Sequence, residues 1–297
     1  DFLTTDADSD VQELVNMLKR SGFKDVYNRV GVHEGTKKIL VNYIAIADIT
    51  QVPKEIFQVF SDNSKEVNGI YYANEHILRM MMYLELSRPR GEVERWNKVF
   101  TRLNLLNTRF PIKSCAKKHF KTEVALPIRK LLLEFIISHQ RTLANIELEG
   151  IYKRSLKTKK LEYNLGKGGP FYFFSPDVEK DASDIKYLLE DGIKLVLHKE
   201  KGDYLPKRVK VYKNHILVAE IIDETACVSY NVISYQKQLL HIASLQTLIN
   251  LYYSIYYFSN SENFYLCEIG KCIKTLDSLL LSKTSQFEPF PVLCSGY

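Results

Sequence analysis

Apolar positions recur along this chain in blocks whose period changes, and each change marks an element. Asp1 to Thr4 reads as the end of a strand. Val11, Leu14, Val15 and Leu18 then follow at helical spacing behind the cap-forming stretch Asp6–Asp10, and Gly22 stops them. Lys24–Val32 and Lys38–Thr50 read as strands around a turn at 33–36, with Pro53 closing the second. The first unit is therefore strand, helix, hairpin. Ile77, Met80, Met81 and Leu84 predict a helix over Asn74–Leu86, ended by Pro89, and Trp96, Val99, Phe100, Leu103 and Leu106 predict another over Glu92–Leu106. A long third helix is expected over Leu126–Leu148.

The second half restarts the same pattern. Phe171–Ser175 is a strand, Asp181–Glu190 a helix stopped at Gly192, and Val209–Tyr212 with His215–Ile222 a hairpin around Lys213–Asn214. Laid on the first half, Phe171 falls on Asp1, Gly192 on Gly22 and Glu220 on Asp48. Any strand-helix-hairpin unit shares this outline. If the repeat is real, its second copy lacks a carboxylate at the first position and is catalytically empty. Two long helices over Gln236–Phe258 and Asn263–Lys283 and a Phe/Pro/Cys tail complete the chain. The expected organisation is 1–149, a basic linker over 150–170, and 171–297.

Composition adds bounds. With 297 residues, 45% of them hydrophobic, the chain can bury a core for about two domains. No apolar run reaches the ~20 residues of a membrane span. The formal charge of +6 suits a polyanionic partner, and the nineteen tyrosines supply rings for the core or for bases. Five scattered cysteines without metal-site spacing read as free thiols in a reducing compartment.

The candidate chemistry lies in carboxylates and cations. Asp1 and Asp48 stand at strand ends, where rigid backbone could hold Mg²⁺ or Mn²⁺ through hard oxygen ligands; strand-end aspartates also serve as caps and surface charges. Arg88, Arg90, Arg95 and Lys98 could meet phosphate, with Arg offering a bidentate fork, or could pair with Glu92 and Glu94. Lys113, Lys117, Lys118 and Lys121, and then Lys153, Arg154, Lys157, Lys159 and Lys160, are either solvated surface or a track for RNA phosphates. Tyr152, Tyr163, Phe171 and Tyr172 are available for stacking beside them. Gly166–Pro170 lacks the GxxxxGK[ST] pattern and reads as a flexible linker.

A resemblance sharpens this. The Asp1-Phe2 strand end, the Ser21-Gly22-Phe23 helix stop, the Ile46-Ala-Asp-Ile-Thr50 strand with Pro53, and above all the run Met82–Val99 continuing to Arg102–Asn107 are specific together. They resemble the catalytic subunit of poly(A) polymerases of nucleocytoplasmic large DNA viruses, of giant-virus and asfarvirus type, with poxviruses more distant. The tail Phe290–Tyr297 resembles a motif of the giant-virus members. The resemblance is dense to Ile112 and looser beyond.

It implies part of a polymerase-β-like nucleotidyltransferase domain with a helical appendage, and with the repeat the expected α+β fold adds a second, degenerate nucleotidyltransferase-like domain. It implies template-independent transfer of AMP from ATP to mRNA 3′ ends by two-metal catalysis, in the host cytoplasm or the virion. Asp1 matches the second aspartate of the family's metal pair and Asp48 its third ligand. The pair's first aspartate and the family's phosphate-holding Gly turn would precede Asp1, so the chain is expected to be truncated and inactive by itself. The resemblance further implies a homodimer or a viral helper subunit, and no membrane. A nucleotidyltransferase with another RNA acceptor and a non-catalytic RNA-binding or scaffold relative stay open.

Overall fold

The computed structural model describes residues 1–31, 35–114, 123–158, 161–225, 227–259, 266–283 and 285–295. The chain forms two compact units, Asp1–Asn74 and Glu75–Tyr297. The segment 150–170, read from the sequence as a boundary, lies inside the second unit.

The first unit opens with β1 (Phe2–Thr4) and α1 (Ala7–Arg20), continues with β2 (Val26–Val30), β3 (Thr36–Val41) and β4 (Ile44–Gln51), and closes with α2 (Lys54–Asp62) and the hairpin β5 (Ser64–Val67) and β6 (Ile70–Ala73). The Asp6 carboxylate accepts the Ser9 N–H at the start of α1, and Lys19 and Arg20 occupy its negative end. Gly22, at φ +89°, lets the Phe23 N–H turn back onto the Leu18 carbonyl. The sheet order is β1-β4-β3-β2, with β1 parallel to β4. Val11 and Val15 of α1 pack on Val26, Ile39 and Ile49, which leaves the other sheet face open.

The expected single strand Lys38–Thr50 is two strands. Asn42 and Tyr43 both adopt positive φ and make a two-residue hairpin turn, the geometry that matches strand twist.

The second unit begins with α3 (Glu75–Leu86) and α4 (Trp96–Arg109), followed by α5 (Leu126–Ser138), β7 (Thr142–Leu143) and α6 (Glu149–Ser155). Next come β8 (Phe171–Ser175), α7 (Val178–Leu189), β9 (Ile193–His198), β10 (Arg208–Lys213) and β11 (Ile216–Asp223). The chain ends with β12 (Val228–Tyr235), β13 (Gln238–Ala243), α8 (Leu245–Phe258), α9 (Leu266–Leu281) and β14 (Cys294–Ser295). Its eight strands run in the order β14-β12-β13-β7-β8-β11-β10-β9.

Two expected helices are shorter than predicted. The helix over Leu126–Leu148 stops at Ser138, because Gln140 takes positive φ and sends Thr142–Leu143 into the sheet. The helix from Gln236 starts only at Leu245, because Gln236 and Lys237 form another positive-φ turn that joins β12 to β13.

The repeat is visible in the topology. Strands β8-β11-β10-β9 reproduce β1-β4-β3-β2, each with one parallel pair followed by two antiparallel ones. Details recur too. Thr4 Oγ1 accepts from Asp6 N and Ser175 Oγ from Asp177 N, and both aspartates cap the following helix. Asn42–Tyr43 and Asn214–His215 make the same turn, and each hairpin carries a bulge at the matching step, after Ile39 and after Val211. These matches place Tyr172, not Phe171, at the position of Asp1, because the helix region of the second copy is one residue shorter. They leave Glu220 on Asp48, as the sequence suggested.

Candidate active site and nucleic-acid interface

Asp48 lies on β4 with its side chain about one-third exposed on the open face of the first sheet. The parallel register pairs Phe2 with Ile49, and one step back along both strands sets the exposed Asp1 opposite Asp48. Side chains opposite each other on neighbouring strands share a face, so β1 and β4 bring the two predicted carboxylates together. Lys38 faces Asp48 across the hairpin, and its ammonium lies 2.5 Å from the Asp48 carboxylate.

The donor set is oxygen only, which suits Mg²⁺ or Mn²⁺. Among the described residues no cluster of three His, Cys, Asp or Glu surrounds a common point. The face thus presents two carboxylates, one of them paired with Lys38. Lys38 was missed in the sequence, because the Asn42–Tyr43 turn that sets it against Asp48 was read as continuous strand.

The equivalent face of the second sheet holds different chemistry. Tyr172 stands in place of Asp1 and is buried; Glu220 stands in place of Asp48, with Lys210 opposite it as Lys38 is opposite Asp48. Arg208 occupies the position of Thr36, and its Nε lies 2.7 Å from the Glu220 carboxylate, both groups being almost wholly buried. Burial pushes the Glu220 carboxyl up, with Lys210 and Arg208 pulling it back. The Arg208 guanidinium thus occupies the Glu220 carboxylate, and among the described residues no metal-ligand cluster forms on this face.

The motif cations divide. Arg88 donates to the Asp203 carbonyl at 3.1 Å, beside Tyr204, and burial pulls its pKa down. Arg95 pairs with Glu92 and lies 3.7 Å from Glu85. Glu85 of α3 joins the expected Glu92 and Glu94 in attracting Arg95. Arg90 and Lys98 are exposed. Trp96 is buried and its ring lies 6.1 Å from that of Phe290, which also meets Phe100 at 5.4 Å. The densest motif and the tail motif therefore pack on each other.

Lys153 and Arg154 end α6, and Lys157 follows them; all three are exposed. Lys159 and Lys160, like Lys117, Lys118 and Lys121, lie outside the described residues. The aromatic stacking partners mostly fail: Tyr152, Phe171 and Tyr172 are core residues, and only Tyr163 is partly exposed. The Gly166–Pro170 segment is not a free linker. Gly168 pairs with Val124, and the buried Arg129 donates to the carbonyls of Gly166 and Gly169. The signal for Arg129 was present as one of two adjacent cations, with Lys130, in the apolar run Leu126–Ser138. The free-thiol reading also fails for Cys227 and Cys294, which form a disulfide with Cα atoms 5.3 Å apart, and for Cys267, which is disulfide-bonded too; Cys272 is free and buried. Among the described residues no helix is long and apolar enough to cross a membrane.

Comparison with known proteins follows the same outline. Residues 1–92 match the family model of the poly(A) polymerase catalytic subunit. A putative poly(A) polymerase catalytic subunit of Acanthamoeba polyphaga mimivirus is 26% identical over 167 residues, covering 53% of this chain and 28% of that protein. The crystal structure of the Megavirus polyadenylate synthase aligns with a TM-score of 0.75 at 17% identity, over 99% of this chain and 64% of that one. The resemblance to giant-virus poly(A) polymerases is thus found in sequence and in fold, and the mixed α+β architecture is shared with the Megavirus enzyme. The chain spans less than a third of the curated relative's length and less than two thirds of the solved structure's.

Proposed function

We propose that this chain belongs to a template-independent poly(A) polymerase that transfers AMP from ATP to an mRNA 3′ end and releases pyrophosphate. The observation that carries the reading is the Asp1–Asp48 pair: two carboxylates on one open face of adjacent parallel strands, within the segment that matches the family. A divalent ion held between them would neutralise charge at the α-phosphate and acidify the attacking hydroxyl. The protein's own part is positional. Strands β1 and β4 fix the two carboxylates, and Lys38 orients Asp48 through their ion pair until a cation competes for it. Released, its ammonium is placed to meet the triphosphate as a point charge. Arg90 and Lys98, exposed and without internal partners among the described residues, are the motif cations left to meet phosphate. Arg88 and Arg95 are committed to internal partners. Preference for adenine rests on the family resemblance alone.

Extension of a 5′-labelled RNA primer with ATP and Mg²⁺ or Mn²⁺ tests the reading, run on this chain and on the longest natural polypeptide that contains it. Asp48→Ala is expected to reduce extension at least 10³-fold, an electrostatic loss of the order of 4 kcal/mol, with circular dichroism unchanged. Extension that survives the substitution refutes the site. RNA binding without extension in either polypeptide would instead favour a non-catalytic relative.

A further inference from the structure

Beneath the Gly166–Gly169 loop lies a cavity of about 210 Å³ with a strongly polar lining. Arg129, Arg154 and Lys167 face it together with Tyr163, Asn164 and the single acid Glu147. Arg129 is only 6% exposed. Its guanidinium donates to the Gly166 carbonyl at 3.1 Å and to the Gly169 carbonyl, and lies 4.4 Å above the Phe171 ring. Among the described residues no carboxylate pairs with it. Carbonyl dipoles and a ring face satisfy its N–H groups but do not cancel its charge.

Arg154 reaches the cavity from the last turn of α6, also with no carboxylate partner among the described residues. Lys167 is 88% exposed, and Glu123 approaches it only to 3.9 Å. Burial holds the Tyr163 hydroxyl up at about 12, against the pull of Arg129, so it remains a hydrogen-bond donor at neutral pH. Three cations thus face one carboxylate. The loop itself fits closely, because a Cβ on Gly168 would stand 3.1 Å from the Arg129 guanidinium.

We propose that this cavity binds a phosphodiester group of an RNA strand, gripped by Arg154 and Lys167 within the fixed positive field of Arg129. The lining, with three cations to a single carboxylate, supports a phosphate. The exposed Lys153 and Lys157 beside it would carry the neighbouring phosphates. The assignment of RNA as the strand rests on the poly(A) polymerase reading above.

The test is fluorescence anisotropy of labelled oligo(A) against the full chain over a series of salt concentrations. Arg154→Gln with Lys167→Gln is expected to weaken binding about tenfold and to flatten the log–log salt slope by roughly 0.7, the increment for one phosphate of a single strand that is no longer neutralised. Glu147→Gln is expected to do the opposite and tighten binding severalfold. Lys153→Gln with Lys157→Gln should weaken it less. Arg129 is left intact, since its removal would free the loop, and circular dichroism checks each variant.

If the parent chain binds oligo(A) but the Arg154/Lys167 and Glu147 variants match it in affinity and slope, the cavity assignment is overturned and the polymerase reading stands. A parent chain that binds no oligo(A) at any salt overturns the assignment as well, and primer extension then decides the polymerase reading separately. Inorganic phosphate that stabilises the parent but not the Arg154/Lys167 variant, with RNA affinity the same in both, would make this a free-anion site and also overturn it.

Discussion

His76 and Arg79 stand one turn apart on α3, and their neighbours decide what pH does to the second unit. Arg79 is fully buried and donates to the Asn107 side chain at 2.8 Å and to the Phe110 carbonyl. His76 Nδ1 lies 3.3 Å from the Tyr253 hydroxyl. Burial first, and Arg79 second, lower the His76 pKa, with Glu75 opposing them. An unfolded histidine titrates near ~6.5, so on acidification the unfolded chain takes up its proton before the folded one does. The stability this residue contributes is present above ~6.5 and is lost as pH falls through the lower, folded value. His76→Gln should therefore flatten the loss of stability between about pH 7 and pH 5, read by urea denaturation of parent and variant. Asp223, Glu224 and Asp277, whose carboxyls burial raises, act in the opposite sense, so the comparison between the two proteins isolates His76. At this scale the sequence pointed correctly to Asp48 on a strand with Asp1 near it. It was silent on Lys38 and Arg208, whose meaning depends on partners across a sheet.

Elements show why some of the fold was legible and some was not. Caps and local periodicity are written in neighbouring residues, and α1, α3 and α4 appear close to where the spacing puts them. Positive-φ turns at non-glycine residues are not so written. Asn42–Tyr43, Gln140 and Gln236–Lys237 each adopt left-handed backbone; the first two divide segments that periodicity alone read as continuous, and the third opens a strand where a helix was expected to start. The two capped helices offer a matched test of the repeat. Asp6 accepts the Ser9 N–H and Asp177 the Lys180 N–H. Asp6→Ala and Asp177→Ala should each cost about 1 kcal/mol, read as a lower denaturation midpoint with an unchanged slope. A cost confined to one of them would mean that the shared geometry does not carry shared energetics.

In the whole molecule the tail is an integral part of the second unit. β14 pairs with β12, and Cys294 ties it to Cys227 across 67 residues of sequence. Closing a loop of that length stabilises a fold by up to about 4 kcal/mol. Cys294→Ser should lower stability by up to that amount under oxidising conditions, and reductant, which also opens the disulfide at Cys267, should lower the parent at least to the level of the oxidised variant. The domain boundary was less legible than the motifs, because the glycine and lysine content around 150–170 marks a loop folded on Arg129 rather than a gap between bodies. The second sheet also differs from the first in what its carboxylate depends on. Arg208 is a counter-ion bound through the chain itself, so it cannot be diluted away, exchanged or removed by a chelator. A divalent ion held on the Asp1–Asp48 face, as proposed, would be open to removal by EDTA, whereas the Arg208 partner of Glu220 would not. On the proposed reading, one copy of the sheet would answer to the metal content of its surroundings and the other would not.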